Sequence, residues 1–279
     1  MKKTPFKEIK SQLFDILPKE KTKYLSTKWE KIGEVLILKI PEEIEEWEKQ
    51  IAEVYANVLD CKTVLKNEEG IKGEYRQPQF KKIFGDKNTT TIHKENGIRY
   101  KIDPSKIMFS SGNMDERIHM GKVVERDETI VDLFAGIGYF TLPMAVHGEP
   151  SKIYACEKNP TAFNFLCQNI VLNNVSDIVE PLKGDNRETA PEDVADRVLL
   201  GYFGDTAEFF PTAIKCLKEQ RGVLHYHDTF PDEDIPEKTC LTIKEKVNSL
   251  HGEAEITEYR RIKSYAPGIS HYVFDIRVE

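Results

Sequence analysis

Two closely spaced glycines follow an apolar run in the second half of the sequence. Residues 129–134 are typical of a buried strand, and Gly136 and Gly138 come directly after them. Glycines at a strand-to-helix turn let the backbone approach a ligand closely. Asp132 at the strand end would repel a phosphate but could hold a cationic amino acid group. Position 141, where a dinucleotide fingerprint has its third glycine, is threonine, which disfavours a pyrophosphate ligand.

Acidic and amide side chains end the next two predicted strands. Glu157 lies 21 residues after Gly136, where a carboxylate can accept hydrogen bonds from both ribose hydroxyls. Asp185 and Asn186 follow the third strand, where an adenine amino group could be read. Such residues meet at the carboxyl edge of a parallel sheet. They predict S-adenosylmethionine as co-substrate; the alternative is a helix-packing glycine turn with coincidental acids.

The segment after the fourth predicted strand lacks a motif that is common in amine methyltransferases. Those enzymes carry Asn/Asp-Pro-Pro-Tyr/Phe, whose side chain and backbone carbonyl grip the target N–H group. Here the segment reads Gly201-Tyr202-Phe203, which keeps only the aromatic rings. This argues against amine methylation but not against a nucleobase substrate.

Two histidines and an aspartate mark the fifth predicted strand. Alternation along a strand puts His225 and His227 on one face, which would suit metal ligands. A zinc site needs three or four convergent ligands, and no other His/Cys cluster is near in sequence, so no metal is predicted. We interpret these residues as the lining of a base pocket. The general base stays open among Asp228, His227 and a water molecule.

Strands and helices alternate from about residue 128 onward. This alternation predicts a doubly wound, mostly parallel sheet. Two terminal strands without a crossover helix between them, at 255–261 and 271–278, predict an antiparallel edge. The first hundred residues read as a small α+β unit, with a linker near 103–110. The predicted strands of the second part are 129–134, 152–156, 178–182, 197–200 and 222–227, and its predicted helices are 139–146, 160–172, 206–217 and 236–250.

Composition excludes several classes of protein. The 279 residues, 39% hydrophobic and 31% charged, suggest two domains. No apolar run reaches the ~18 residues of a membrane span, and the basic start is not followed by the apolar segment of a secretory signal. Five cysteines without a C-x-x-C pair argue against disulfides or zinc and fit a reducing cytoplasm.

The charge is unevenly distributed along the chain. Residues 1–110 carry a net charge of +4, and the rest carries −11. Basic residues between Lys72 and Lys87 are interleaved with Tyr75, Phe80 and Phe84. Such a mixture suits a surface that neutralises phosphates and stacks on unpaired bases. The alternative is the ordinary solvated surface of a domain.

Seven short motifs carry a family resemblance: residues 107–117, 132–138, 157–160, 184–187, 201–203, 225–228 and 264–268. Together they resemble the clade of the tRNA guanine-37 N1-methyltransferases and the wybutosine-synthesis aminocarboxypropyltransferases. The resemblance covers residues 90–279 well and the N-terminal part loosely. Where the methyltransferase branch has Phe-Ser-Pro-Arg, this sequence has Phe-Ser-Ser-Gly at residues 109–112. Where that branch has Asn-Pro-Pro, this sequence has Gly-Tyr-Phe at residues 201–203. Both departures point to the aminocarboxypropyl branch.

The resemblance implies a fold and a reaction. The fold is α/β, a Rossmann-like class I S-adenosylmethionine-dependent transferase domain at 106–279, preceded by a small α+β domain at 1–105 that contacts tRNA. The implied reaction moves the 3-amino-3-carboxypropyl arm to C7 of 4-demethylwyosine at position 37 of tRNA-Phe, releasing methylthioadenosine. The expected protein is a cytoplasmic monomer that binds the anticodon loop.

The same resemblance points to a set of cofactor-binding residues. Arg117 is the candidate clamp for the carboxylate of the arm, with Ser110 donating a hydrogen bond nearby. The full set is Ser110, Arg117, Asp132, Ala135, Gly136, Gly138, Glu157, Asp185, Asn186 and Gly201.

Two competing hypotheses stay open at this point. The first is a tRNA methyltransferase acting at position 37, which Gly201-Tyr202-Phe203 disfavours. The second is a nucleic-acid-binding protein with a degenerate cofactor fold. The acids at positions 132, 157 and 185 argue against that second hypothesis, because a degenerate site would have no need of them.

Overall fold

The computed structural model describes residues 4–250 and 252–279 of the chain. Contacts divide these residues into two compact units. The first holds the described residues up to Glu95 together with Arg99–Ser111, and the second holds Asn96–Ile98 together with Gly112–Glu279. Within the described ranges, no helix is long and apolar enough to cross a membrane.

The first unit is built on a four-stranded sheet. The elements up to residue 102 are α1 Pro5–Gln12, β1 Glu30–Ile32, β2 Val35–Leu38, α2 Glu48–Leu59, β3 Thr63–Lys72, β4 Gln77–Gly85, β5 Thr91–Glu95 and β6 Ile98–Ile102. The sheet order is β1-β2-β3-β4, with β2 and β3 parallel across α2 and antiparallel pairs at both edges. Leu36 and Val64 of the sheet pack in one core with Ile51 and Tyr55 of α2.

The basic and aromatic group of the first unit lies on β3, on β4 and in the turn between them, except for Lys87, which follows β4. The sequence patterns do not predict β4, because the adjacent charges Lys81 and Lys82 interrupt the alternation expected of a strand. Phe84 packs against the core, whereas Tyr75 is 42% exposed in the turn. Of these two rings, only Tyr75 is therefore available for stacking on a base.

The second unit contains a seven-stranded sheet in the order β12-β13-β11-β10-β7-β8-β9. Strands β7 to β11 are parallel, and β12 and β13 are antiparallel. The predicted doubly wound sheet with an antiparallel edge is confirmed. Its elements are α3 Met114–Val123, β7 Thr129–Asp132, α4 Thr141–His147, β8 Lys152–Glu157, α5 Pro160–Leu172, β9 Val179–Lys183, α6 Asn186–Thr189, β10 Arg197–Leu200, α7 Phe210–Cys216, β11 Gly222–Pro231, α8 Glu237–Asn248, β12 Ala254–Ala266 and β13 Ile269–Val278.

The two faces of the sheet differ at its antiparallel end. On one face, side chains such as Tyr226 and Phe274 form an apolar core with α7 and α8. Because side chains alternate along a strand, His225 and Asp275 point to the opposite face, which is polar. Helix α3 contacts this polar face through Glu116, which bonds Arg260 of β12. Helix α3 therefore packs on a charged surface of the sheet rather than on an apolar one.

Local signals set the start of helix α5. The side chain of Asn159 accepts hydrogen bonds from the backbone N–H groups of Thr161 and Ala162, and Pro160 occupies the first helical position. Both features were expected from the sequence, and the helix has the predicted bounds. The helix predicted at 206–217 is instead a 3₁₀ turn, Thr206–Phe209, followed by α7.

Candidate nucleoside site at the carboxyl edge of the sheet

The loop after β7 is held in shape by Asp132. Its carboxylate is fully buried and accepts hydrogen bonds from the Thr141 hydroxyl at 2.7 Å and the Phe134 N–H at 3.1 Å. Burial raises the pKa of Asp132 to about 6. Thr141, at the position of the third dinucleotide glycine, therefore fastens the loop. The structure places Asp132 inside the protein rather than open to a ligand's ammonium group.

Both glycines of this loop have left-handed backbone conformations. Gly136 has φ +60° and Gly138 has φ +98°. A Cβ atom on Gly138 would lie 2.7 Å from Leu142 Cγ, and one on Gly136 would lie 2.5 Å from the Tyr139 ring. Since L side chains rarely adopt these angles, the turn requires glycine at both positions. The buried Ala135 precedes them, and its N–H donates to the Cys156 carbonyl of β8.

Glu157, at the end of β8, joins two backbone segments. One carboxylate oxygen accepts the Gly136 N–H at 2.7 Å, and the other accepts the Asn159 N–H at 2.6 Å. Burial raises the pKa of Glu157 to about 6. Each carboxylate oxygen has a second lone pair, so the group could still accept hydrogen bonds from a vicinal diol.

Asp185 and Asn186 differ in their capacity to accept a further hydrogen bond. Asp185 is bonded by the Arg187 Nε and Nη2 atoms at 2.8 and 2.6 Å, and Lys158 lies 3.4 Å away. The Arg187 hydrogen bond is the main cause that lowers the pKa of Asp185. Asn186 is buried and donates to the Leu133 carbonyl, but its Oδ1 atom has no hydrogen-bond partner among the described residues. Asn186 is thus the better candidate to accept from an amino group.

Aromatic rings surround the segment after β10. Tyr202 stacks on Phe134 with ring centroids 5.1 Å apart, and Phe203 meets His271 edge-on at 4.5 Å. A Cβ atom on Gly201 would lie 3.3 Å from the Phe140 ring. Gly201 therefore lets this segment pass close to the residue that precedes α4.

The structure separates the two candidate general bases. Both oxygens of Asp228 are in use: they accept from the N–H groups of Gly204, Thr206 and Thr229 and from the Tyr226 hydroxyl. Asp228 thereby fixes the loop after β10. His227 is buried against Phe140, and its Nε2 atom has no partner among the described residues. Of the two, His227 is the better candidate.

A chain of charged and polar groups crosses the polar face of the sheet. Arg197 joins Glu128 to His225, with Nη1 to Nε2 at 2.6 Å, and His225 Nδ1 donates to Asp275 at 2.6 Å. Asp275 and Glu116 both bond the guanidinium of Arg260. Burial lowers the pKa of His225, so we take the ring as neutral.

The remaining predicted residues lie in different units. Ser110 is half-buried and belongs to the first unit, and Arg117 lies on α3 in the second, only 2% exposed. A charged side chain this deeply buried is uncommon unless it is paired. A Glu-Arg pair on a helix is usually exposed to solvent, and the burial of Arg117 therefore sets it apart from an ordinary surface residue.

One group of three potential metal ligands is present in the described part of the chain. Atoms of His119, Glu258 and Asp275 lie within 4.8 Å of one another. The guanidinium of Arg260 bonds Asp275 and lies 3.4 Å from Glu258. Because the guanidinium of Arg260 already supplies a positive charge to these carboxylates, we assign no metal ion to this group.

Sequence reasoning missed His271, Asp275 and Arg260. A signal was available: alternation along 269–278 puts His271 and Asp275 on one face of a strand that is mostly apolar. Polar residues on a buried face indicate a partner. The identity of that partner, α3, could not be read locally, because Glu116 and Arg260 are 144 residues apart.

Comparisons with known proteins agree with this geometry. The profile of the TRM5/TYW2 methyltransferase domain matches residues 91–255, and that of the TYW2 N-terminal domain matches residues 9–89. A Pyrococcus horikoshii protein named tRNA(Phe) (4-demethylwyosine(37)-C(7)) aminocarboxypropyltransferase is 44% identical, over 94% of this chain and 93% of its own.

Two solved structures are similar to this chain over 90% or more of its length. P. horikoshii TYW2 in complex with MeSAdo has a TM-score of 0.87 at 42% identity, covering 98% of both chains. M. jannaschii TYW2 in complex with AdoMet has a TM-score of 0.73 at 37% identity, covering 90% of this chain and 99% of the other. The resemblance seen in the sequence motifs is thereby confirmed, and the chain belongs to the TRM5/TYW2 family.

Proposed function

We propose that this protein transfers the 3-amino-3-carboxypropyl group of S-adenosylmethionine to C7 of 4-demethylwyosine at position 37 of tRNA-Phe. The second product is methylthioadenosine. The observation that carries the proposal is the 44% identity to the P. horikoshii aminocarboxypropyltransferase over almost the full length of both chains. The glycines, Glu157 and Asn186 at the carboxyl edge of the sheet support it independently, because they suit the binding of a nucleoside.

The adenosine part of the co-substrate fits the loop after β7 and the strand ends beside it. Gly136 and Gly138 bring the backbone close, and Glu157 accepts hydrogen bonds from the two ribose hydroxyls. Asn186 Oδ1, which lacks a partner among the described residues, accepts from the adenine amino group. Asp132, Ala135, Asp185 and Gly201 act indirectly by holding the loops that form the pocket.

The choice between arm and methyl is a matter of orientation. The sulfonium has three S–C bonds, and a nucleophile in line with one of them displaces the rest as a thioether. The reacting atoms must come within ~3–3.5 Å along that bond. A fixed carboxylate would set this orientation. We assign that role to Arg117, whose planar guanidinium can hold a carboxylate with two parallel hydrogen bonds.

Replacing Arg117 with glutamine should weaken binding of S-adenosylmethionine much more than binding of methylthioadenosine, which lacks the arm. Losing hydrogen bonds to a charged group costs about 1.5–3 kcal/mol, or roughly tenfold or more in affinity. Calorimetry with both ligands measures the difference. Arg126→Gln, at a position 78% exposed beyond α3, is the matched control. Equal losses for the two ligands would refute the clamp.

The proposed partner is the anticodon loop of tRNA-Phe, bound by a cytoplasmic monomer. The name of the P. horikoshii relative supports the tRNA. In the first unit, Lys72, Lys82 and Lys87 are exposed and could neutralise phosphates, and Tyr75 could stack on a base. We infer that the residues up to 105 contact the tRNA and that residues 106–279 form the catalytic domain.

Mass spectrometry of the modified tRNA tests the reaction directly. The purified protein is incubated with S-adenosylmethionine and tRNA-Phe carrying 4-demethylwyosine, and the nucleoside at position 37 is analysed. The expected product has gained one aminocarboxypropyl group. A gain of one methyl group would instead support a tRNA methyltransferase, which the missing Asn-Pro-Pro at residues 201–203 disfavours. Failure to bind S-adenosylmethionine would favour a nucleic-acid-binding protein.

A further inference from the structure

Two imidazole rings lie side by side on the polar face of the sheet. His227 on β11 and His271 on β13 are 1% and 0% exposed, and the Nδ1 atom of His227 lies 3.2 Å from the Nε2 atom of His271. His227 is opposite Val273, and His271 is opposite Thr229, so the two rings are diagonal neighbours across the strand pair. One nitrogen donates a proton to the other.

The outer nitrogens of this pair are unusual. His227 Nε2 and His271 Nδ1 are buried and have no hydrogen-bond partner among the described residues. Leaving a buried polar atom unpaired costs about 1–3 kcal/mol, and the pair does so twice. When one hydrogen bond joins two neutral imidazole rings, the outer nitrogen of the donor ring carries a lone pair and the outer nitrogen of the acceptor ring carries a hydrogen. The pair thus has an acceptor end and a donor end.

The surroundings keep the pair neutral and place it beside the nucleoside site. Burial is the main cause that lowers the pKa of both rings, that of His271 to about 3. Phe140 lies 4.9 Å from the His227 ring, and Phe203 lies 4.5 Å from the His271 ring, centroid to centroid. Both phenyl rings border the segment that follows β10, at the edge where parallel sheets bind ligands.

We propose that His227 and His271 form a proton relay that removes the proton from C7 of the target base. The proposal rests on the proposed function. C7 forms a bond to the terminal methylene carbon of the arm, and the S–C bond breaks with its electron pair passing to sulfur. The C7–H electrons return to the ring as the proton moves to His227 Nε2. His227 Nδ1 then passes its proton to His271 Nε2, and His271 Nδ1 gives up its own proton to a water molecule.

This assignment accounts for both unpaired nitrogens, because a relay needs an entrance and an exit. It also explains why the rings are neutral, since a protonated pair could accept nothing. Phe140 lies against His227, the ring at the entrance of the relay, and Phe203 lies against His271, the ring at its exit. His227 is the catalytic residue in this scheme, and His271 is the positioning residue that also receives the proton.

The test uses His271→Gln, whose amide oxygen can still accept a hydrogen bond from the His227 Nδ1–H group but cannot take up a proton and pass it on. Single-turnover transfer is measured on tRNA whose target base carries hydrogen or deuterium at C7. General base catalysis contributes about 10²–10⁴-fold, so the rate should fall by roughly a hundredfold. A primary isotope effect should appear that the unaltered protein does not show, while affinity for S-adenosylmethionine stays the same.

Two further variants complete the design. His227→Gln should behave as His271→Gln does, and it carries the test if the first variant does not fold. Thr229→Val alters the residue opposite His271 and should leave the rate unchanged. A slow variant without an isotope effect, or an unchanged rate, would overturn the relay. No arm transfer by the unaltered protein would reject the proposed function itself, and the relay with it.

Discussion

Replacing Arg260 with methionine is expected to lower the free energy of unfolding by about 3–5 kcal/mol, the cost of removing one partner of a buried ion pair. The Arg260 side chain is 16% exposed and bonds Glu116, which is 2% exposed, and Asp275. Methionine fills a similar volume but leaves two buried carboxylates without a counter-charge. Urea denaturation followed by circular dichroism measures the change.

The neighbouring residue provides the control for this variant. Arg261 is 53% exposed, donates to Ser270 and lies 3.6 Å from Asp232. An exposed ion pair contributes roughly 0–1 kcal/mol, so Arg261→Met should change stability little. Protonation would remove the uncompensated charge in Arg260→Met, so its deficit should shrink as the pH is lowered. Equal effects of the two substitutions would show that the buried network does not anchor α3.

Replacing Glu157 with alanine should reduce the affinity for S-adenosylmethionine by tenfold or more. A hydrogen bond to a charged acceptor is worth about 1.5–3 kcal/mol, and the substitution also releases the Gly136 N–H that shapes the loop. Calorimetry measures the loss. Glu180→Ala, at a half-exposed position on the next strand, is the matched control and should bind normally. Unchanged binding by Glu157→Ala would reject its role.

The pH dependence of binding follows from the raised pKa of Glu157. Because that pKa is about 6, the carboxylate is ionised at neutral pH and becomes protonated as the pH falls through this value. Protonation removes acceptor capacity, so affinity should decrease on acidification. Asp132 also has a pKa of about 6. Glu157→Gln separates the two, because it should abolish the pH dependence if Glu157 is responsible.

Local signals were sufficient for much of the second unit. Asn159 and Pro160 define the start of α5, and β10 has the predicted bounds because a short apolar run between turns leaves few alternatives. The glycine turn and the strand-end position of Glu157 could be predicted for a similar reason. The backbone conformation of a strand-to-helix turn is determined within a few residues of sequence.

Helix α3 could not be predicted in the same way. An amphipathic pattern is the usual sign of a helix that packs on a sheet, but α3 buries the charged residues Glu116 and Arg117, and Glu116 bonds Arg260. Its partner Arg260 lies on a strand far along the chain. Asp132 shows the same limit, since its position at a strand end suggested a ligand, whereas Thr141 satisfies it internally.

The anchoring of α3 by charges gives this part of the molecule its own response to heat. The cost of stripping water from ions falls as temperature rises, while apolar stabilisation per unit area levels off. The contribution of these ion pairs to the attachment of the helix that carries Arg117 therefore increases relative to that of apolar contacts as the temperature rises. An apolar interface at this position would show no such increase.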